Sequence, residues 1–190
     1  MAGKALTGVK DLDIGLSDLR IPYERTKYKM HIYLEEKIGN PELFTGRKAE
    51  LSYFLKWTEK TKPKLSQSTA ILSRRKTGKT SLLQRLYNII FDKNDGIIPF
   101  YYEIRESDQW LTDLAVEFFL CFVYQYMAFR TRKQEYLECP RTIGHALEIS
   151  EKEGFDYLTN AIRAFRSLAE EENADRSWNL ARDMPRMTAW

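Results

Sequence analysis

The chain has 190 residues, of which 43% are hydrophobic and 30% are charged, and its formal net charge is +3. This length is sufficient for one domain with a buried core and short for two, and the composition excludes a disordered chain. Two cysteines, Cys121 and Cys139, fit no metal-ligand spacing and are too few for a disulfide framework, which favours a reducing compartment.

No segment of the sequence is predicted to enter a membrane. The most apolar stretch, residues 114–129, is interrupted by Glu117 and Gln125 and is shorter than a membrane span, so it is more typical of a buried helix. The N-terminus has no apolar run of the length that a signal peptide needs. We therefore expect a cytoplasmic protein.

In chain order, residues 1–40 carry little periodicity and are interpreted as an N-terminal arm or lead-in, ahead of a domain over residues 41–190. Residues 50–60 have apolar side chains at helical spacing. The apolar run 69–72 predicts a buried strand, and residues 80–92 predict a helix. The predicted apolar face of that helix consists of Leu82, Leu83, Leu86, Ile89 and Ile90.

The second half of the chain is predicted to be mainly helical. Residues 97–104 are nearly continuously apolar, which predicts one further strand, and Pro99 places its start at a sheet edge. Helices are then predicted over about 109–130, 142–149 and 155–168, and residues 173–190 are interpreted as a polar tail. The order α-β-α-β-α-α indicates the α/β class.

The connection between the first predicted strand and its helix has the pattern of a phosphate-binding loop, because a strand, a loop, Gly-Lys-Thr and a helix follow one another. Gly78 lets the backbone approach a phosphate at a helix N-terminus. Lys79 would contact the β- and γ-phosphates of ATP, and the Thr80 hydroxyl would be a ligand of Mg²⁺. The predicted nucleotide-binding residues are Ser73, Arg74, Arg75, Lys76, Thr77, Gly78, Lys79, Thr80 and Ser81.

Ser73 departs from the usual pattern, which has a glycine at this position. A Cβ at a tight turn adds strain on the order of 1 kcal/mol. We therefore expect a weakened but retained affinity for nucleotide.

Two motifs together resemble the AAA-like ATPases of archaeal and bacterial type, which are related to the signal-transduction ATPases with numerous domains. The first is Phe44-Thr45-Gly46-Arg47 with Glu50-Leu51, and the second runs from Ile71 to Leu83 through the loop. The resemblance covers roughly residues 23–130. It implies a P-loop NTPase-like three-layer αβα fold, and it places Gly46 and Arg47 near the adenine, so both join the predicted nucleotide-binding residues.

The same resemblance implies a later strand that ends in Asp-Glu, and the sequence contains no such strand. We therefore expect an incomplete domain with the N-terminal portion of the sheet only, a helical region over 109–170, and no catalytic residue. A fragment or a truncated reading frame is the favoured explanation. ATP hydrolysis is expected only if the missing acidic elements are supplied from elsewhere.

Two other functions remain open at the level of sequence. The first is a non-catalytic nucleotide-dependent switch or adaptor, in which the helical region 109–170 contacts a protein partner. The second is a nucleic-acid-binding module that uses the basic patch 60–85, because no acidic residue occurs between Lys60 and Phe91. The cations of this patch are Lys60, Lys62, Lys64, Arg74, Arg75, Lys76, Lys79 and Arg85.

Overall fold

The computed structural model describes residues 33–37, 46–63, 68–74, 76–104 and 109–188. Helices make up 65% of these residues, and none of them belongs to a β-strand. The helices of the described part are α1 (Lys48–Glu59), α2 (Lys79–Lys93), α3 (Leu111–Thr131), α4 (Glu135–Glu138), α5 (Ile143–Lys152), α6 (Asp156–Glu170) and α7 (Ala174–Met187).

The prediction of an α/β class with an incomplete three-layer αβα sheet is therefore wrong for the described residues. Residues 69–72 have no regular secondary structure and are not a buried strand, since Leu72 is 91% exposed. Only Ile71 of this run packs against an apolar cluster, next to α1 and α2. The apolar composition of residues 69–72 predicted a strand. Composition does not show, however, whether a second strand lies beside this run to pair with it.

Residues 97–104 also have no regular secondary structure, and they pack on a helix instead of on a neighbouring strand. The Gln125 side chain on α3 accepts a hydrogen bond from the Tyr101 N–H at 2.9 Å and donates one to the Tyr101 carbonyl at 2.7 Å. In a sheet, the Tyr101 N–H and carbonyl would form these two hydrogen bonds with a neighbouring strand. Phe100 packs edge-on against Phe118 and Phe122 of α3. The apolar character of this segment thus reflects packing on a helix.

Helix α3 is the centre of the core, with contacts to α4, α5, α6 and α7. Phe119 on α3 stacks on Phe165 of α6, with ring centroids 3.9 Å apart. Within the described part, α3 is the one helix that is long and apolar enough to cross a membrane, and 56% of its most apolar window is buried inside the molecule. The core helix of a soluble protein passes the same test of length and composition, so this is weak evidence for a membrane span.

The predicted helices near 50–60, 80–92, 109–130, 142–149 and 155–168 are confirmed as α1, α2, α3, α5 and α6. Helix α7 was missed, because its composition is polar. Its buried residues Ser177, Ala181 and Met184 form a narrow stripe at helical spacing that faces α3. The Asn173 side chain caps its start by accepting a hydrogen bond from the Arg176 N–H at 3.2 Å. The Asn173 cap and the helical spacing of the buried residues were the sequence features that could have predicted α7.

Candidate functional site

The predicted phosphate-binding loop leads directly into α2. Gly78 is the residue before the helix and has a left-handed conformation with φ of 76°, which favours glycine. The start of α2 has no side-chain cap and no acidic residue in its first turn. Its first backbone N–H groups therefore lack intrahelical acceptors, and the positive end of the helix dipole is not neutralised locally.

Lys79 folds back over the loop that precedes it. Its Nζ donates hydrogen bonds to the Ser73 carbonyl at 2.8 Å and to the Arg74 carbonyl at 2.9 Å. The Ser73 Oγ lies 3.1 Å from the same Nζ. The ammonium group is therefore held at one place by three oxygens of the loop, and the loop closes into a ring around it.

Ser73 has a structural role that a glycine lacks. Its Oγ lies 2.5 Å from the Thr77 Oγ1, and Thr77 in turn donates to the Arg74 carbonyl at 2.9 Å. The serine hydroxyl thus bridges the first and the later part of the loop. Ser73 is not among the residues with a positive φ, so its backbone shows none of the left-handed strain that a glycine would relieve.

Arg47 connects the two motifs that were predicted to meet. Its guanidinium donates a hydrogen bond to the Thr77 carbonyl, 30 residues further along the chain. The Arg47 Nε lies 4.0 Å from the position that a Cβ on Gly78 would occupy. Arg47 is also the residue before α1, and Phe54 of α1 shares an apolar cluster with Leu82 of α2. The packing of α1 on α2 therefore holds Arg47 beside the loop.

The other predicted site residues differ in their placement. Gly46 precedes Arg47 and is exposed, as is Lys76, whereas Thr80 is half-buried in the first turn of α2. Ser81 is buried, and its hydroxyl donates to the Lys37 carbonyl at 3.3 Å. Arg75 lies outside the described residues.

A polar face of α2, not foreseen from the sequence, holds residues 33–37 against the helix. The Asn88 Oδ1 accepts from the N–H groups of Tyr33 and Leu34 at 3.1 and 2.8 Å. The Gln84 Oε1 accepts from the Lys37 N–H at 2.8 Å. The spacing of Gln84 and Asn88 on one face of α2 was the only sequence signal, since polar residues on a helix are usually solvated.

Arg85 lies on the same face and pairs with Glu36, with Nη2 and Oε2 2.8 Å apart. Both side chains are buried, so Arg85 is not available to a polyanion. Lys62 forms an ion pair with Asp95 at 3.2 Å. Two of the eight cations of the basic patch 60–85 are therefore matched by carboxylates, while Lys64 and Arg75 lie outside the described residues. The described part of the patch is less cationic than its sequence indicates.

No protein-family model, curated protein or solved structure matches this chain. The comparisons thus show no family. The resemblance to AAA-like ATPases remains a prediction that depends on the two motifs around Arg47 and Lys79.

Proposed function

We propose that the chain binds a nucleoside triphosphate, ATP in the simplest case, at the loop 73–80 and the first turn of α2. The observation that carries the proposal is the position of Lys79, whose Nζ is held by the Ser73 and Arg74 carbonyls beside a helix start without a cap. A fixed ammonium group next to free backbone N–H donors is an arrangement that favours a phosphate chain.

Each group has a separate task in this proposal. The N–H groups at the start of α2 donate to phosphate oxygens, and Lys79 exchanges its loop carbonyls for the β- and γ-phosphates. Arg47 and Arg74 flank the loop and add positive charge.

Magnesium accompanies the nucleotide and neutralises its phosphate charge when bound. Thr80 is the residue of the loop that would hold it, and phosphate oxygens and water would supply the other ligands. The described residues contain no group of three or more His, Cys, Asp and Glu side chains that could hold a metal without nucleotide. We therefore propose nucleotide-dependent metal binding, with binding and not hydrolysis as the activity of this chain.

The test is a calorimetric titration of the full chain with Mg-ATP, repeated with Lys79→Met. This substitution removes the ammonium group and keeps a long apolar stem. We expect one binding site and a loss of affinity of at least about tenfold in the variant, which corresponds to about 1.4 kcal/mol. Lys56→Met is the matched control, because Lys56 is an exposed lysine in the last turn of α1.

Two results would contradict the proposal. One is the absence of binding at millimolar Mg-ATP in a sample that is folded by circular dichroism. The other is equal affinity in Lys79→Met and in the wild type. Binding of an oligonucleotide with a steep salt dependence, without competition by ATP, would instead favour the nucleic-acid alternative.

A further inference from the structure

The Lys79 ammonium group has three N–H donors, and the loop supplies an acceptor for each of them. Two of the acceptors are the carbonyls of Ser73 and Arg74, at 2.8 and 2.9 Å from the Nζ. The third is the Ser73 Oγ, at 3.1 Å. A phosphate oxygen can therefore gain a hydrogen bond from Lys79 only after one of these three contacts breaks.

The order of donors and acceptors in the loop follows from the single hydrogen that each hydroxyl carries. The Thr77 Oγ1 donates its hydrogen to the Arg74 carbonyl at 2.9 Å, so it can only accept from the Ser73 Oγ at 2.5 Å. Ser73 thus donates to Thr77 and accepts from Lys79. Its hydroxyl joins the ammonium group to Thr77 in one continuous chain of hydrogen bonds, and the bonds of such a chain strengthen one another.

Thr77, the acceptor of the Ser73 hydroxyl, is itself held at two atoms. Its Oγ1 is bonded to the Arg74 carbonyl, and its own carbonyl accepts a hydrogen bond from the guanidinium of Arg47 at the start of α1. The Ser73 hydroxyl therefore meets an acceptor that is fixed to the rest of the molecule.

A residue without a hydroxyl at position 73 cannot form this chain of hydrogen bonds. With the glycine of the usual phosphate-loop pattern, Lys79 would keep only the two carbonyls as acceptors. Ser73 has no positive φ, so its backbone does not require a glycine. The hydroxyl, and not the Cβ, is therefore the feature that sets this loop apart from the usual pattern.

We propose that the Ser73 hydroxyl is a self-inhibitory contact, which lowers the affinity of the loop for a triphosphate by occupying Lys79. The inference rests on the proposed function, because it concerns the regulation of that same site. When the phosphates bind, their oxygens accept the Lys79 hydrogen bonds and the Ser73 hydroxyl turns to water. Loss of the hydroxyl therefore makes binding tighter, whereas loss of a group that contacts the ligand would make it weaker.

The first test needs no nucleotide. Lysine side chains of the full chain are labelled with a limiting amount of acetic anhydride, and the rates are read by mass spectrometry. We expect Lys79 to react at least about threefold faster in Ser73→Ala than in the wild type, because one of its three acceptors is lost. Ser73→Thr keeps the hydroxyl and should react like the wild type. Lys56, an exposed lysine of α1, is the internal control. Unchanged labelling of Lys79 in Ser73→Ala would overturn the proposal.

The second test is a calorimetric titration of the wild type, Ser73→Ala, Ser73→Gly and Ser73→Thr with Mg-ATP. We expect Ser73→Ala and Ser73→Gly to bind about threefold to tenfold more tightly than the wild type, and Ser73→Thr to bind equally. Equal or weaker binding in Ser73→Ala would overturn the proposal, and a gain in Ser73→Gly alone would assign the effect to the Cβ and also overturn it. No binding of Mg-ATP to any of the four proteins would overturn the proposed function, whereas the labelling rates support or overturn the Ser73 contact separately.

Discussion

The Arg85 guanidinium on α2 and the Glu36 carboxylate form an ion pair of 2.8 Å in which the two side chains are 5% and 0% exposed. Glu36 also accepts a hydrogen bond from Asn88 at 3.0 Å. A buried pair with additional hydrogen bonds fixes the segment 33–37 to the helix that follows the proposed phosphate loop. The position of α2 therefore depends on a contact between residues that are 49 positions apart.

We expect Arg85→Met to destabilise the protein by about 3 to 5 kcal/mol, because the Glu36 carboxylate would remain buried without its partner. The measurement is the free energy of unfolding in urea. Arg163→Met is the matched control, since Arg163 pairs with Glu151 on the exposed surface and such pairs contribute about 0 to 1 kcal/mol. Equal losses in the free energy of unfolding for Arg85→Met and Arg163→Met would contradict the claim that Arg85 and Glu36 form a buried, stabilising pair.

The second prediction concerns the segment 97–104, which packs on α3. Gln125→Met removes both hydrogen bonds to the Tyr101 backbone while it retains the volume of the side chain. We expect a loss of stability of about 1 to 3 kcal/mol, because a backbone donor and acceptor would be left unpaired. Asn160→Ala on the exposed face of α6 is the control. A change below about 0.5 kcal/mol in Gln125→Met would show that the segment is held in another way.

The third prediction compares two tyrosines. The Tyr124 hydroxyl donates to the Thr142 carbonyl at 3.1 Å, whereas the Tyr87 hydroxyl has no partner in the described part of the chain. Tyr124→Phe should therefore destabilise the protein by about 1 kcal/mol, and Tyr87→Phe should be neutral or slightly stabilising. Thermal unfolding of both variants checks this. A larger loss in Tyr87→Phe than in Tyr124→Phe would mean that the Tyr87 hydroxyl is already satisfied.

The fourth prediction concerns pH. The hydrogen bond from Lys133 and then that from Tyr136 lower the pKa of the Glu153 carboxyl below its ordinary value of 4.5. A lowered carboxyl pKa means that its stabilisation is complete above the unfolded pKa and is lost as pH falls through the folded value. The stability difference between wild type and Glu153→Gln should thus be constant above about pH 5 and decrease below pH 4.5. A difference that does not change between pH 7 and pH 3 would contradict the pairing.

The helices with broad apolar faces could be predicted from the sequence, because hydrophobic periodicity is a local property. The sheet was predicted wrongly for a physical reason. An apolar run such as 97–104 has the same composition whether it packs between strands or on a helix. Gln125, a polar residue inside the apolar helix α3, was the one local sign that backbone groups needed a partner there. Helix α7 was missed because its sequence is mostly polar, although Trp178 and Leu180 pack on the core beside its buried residues.

The proposed phosphate site was more accessible to sequence reasoning, since Gly78 and Lys79 act through local geometry. The approach of Arg47 to Thr77 followed only from the family resemblance. The contact between Glu36 and Arg85 depends on residues far apart in sequence. It has no local pattern that distinguishes it from a solvated helix face.

The central claim is that a triphosphate binds at the start of α2, and backbone amide NMR tests it most directly. The ¹H–¹⁵N spectrum of the full chain is recorded with and without Mg-ATP. We expect saturable shifts that are largest for the amides of residues 77–81 and that are absent in Lys79→Met. Shifts confined to residues outside the loop 73–80 and α2, or no shifts at millimolar Mg-ATP in a folded sample, would contradict it.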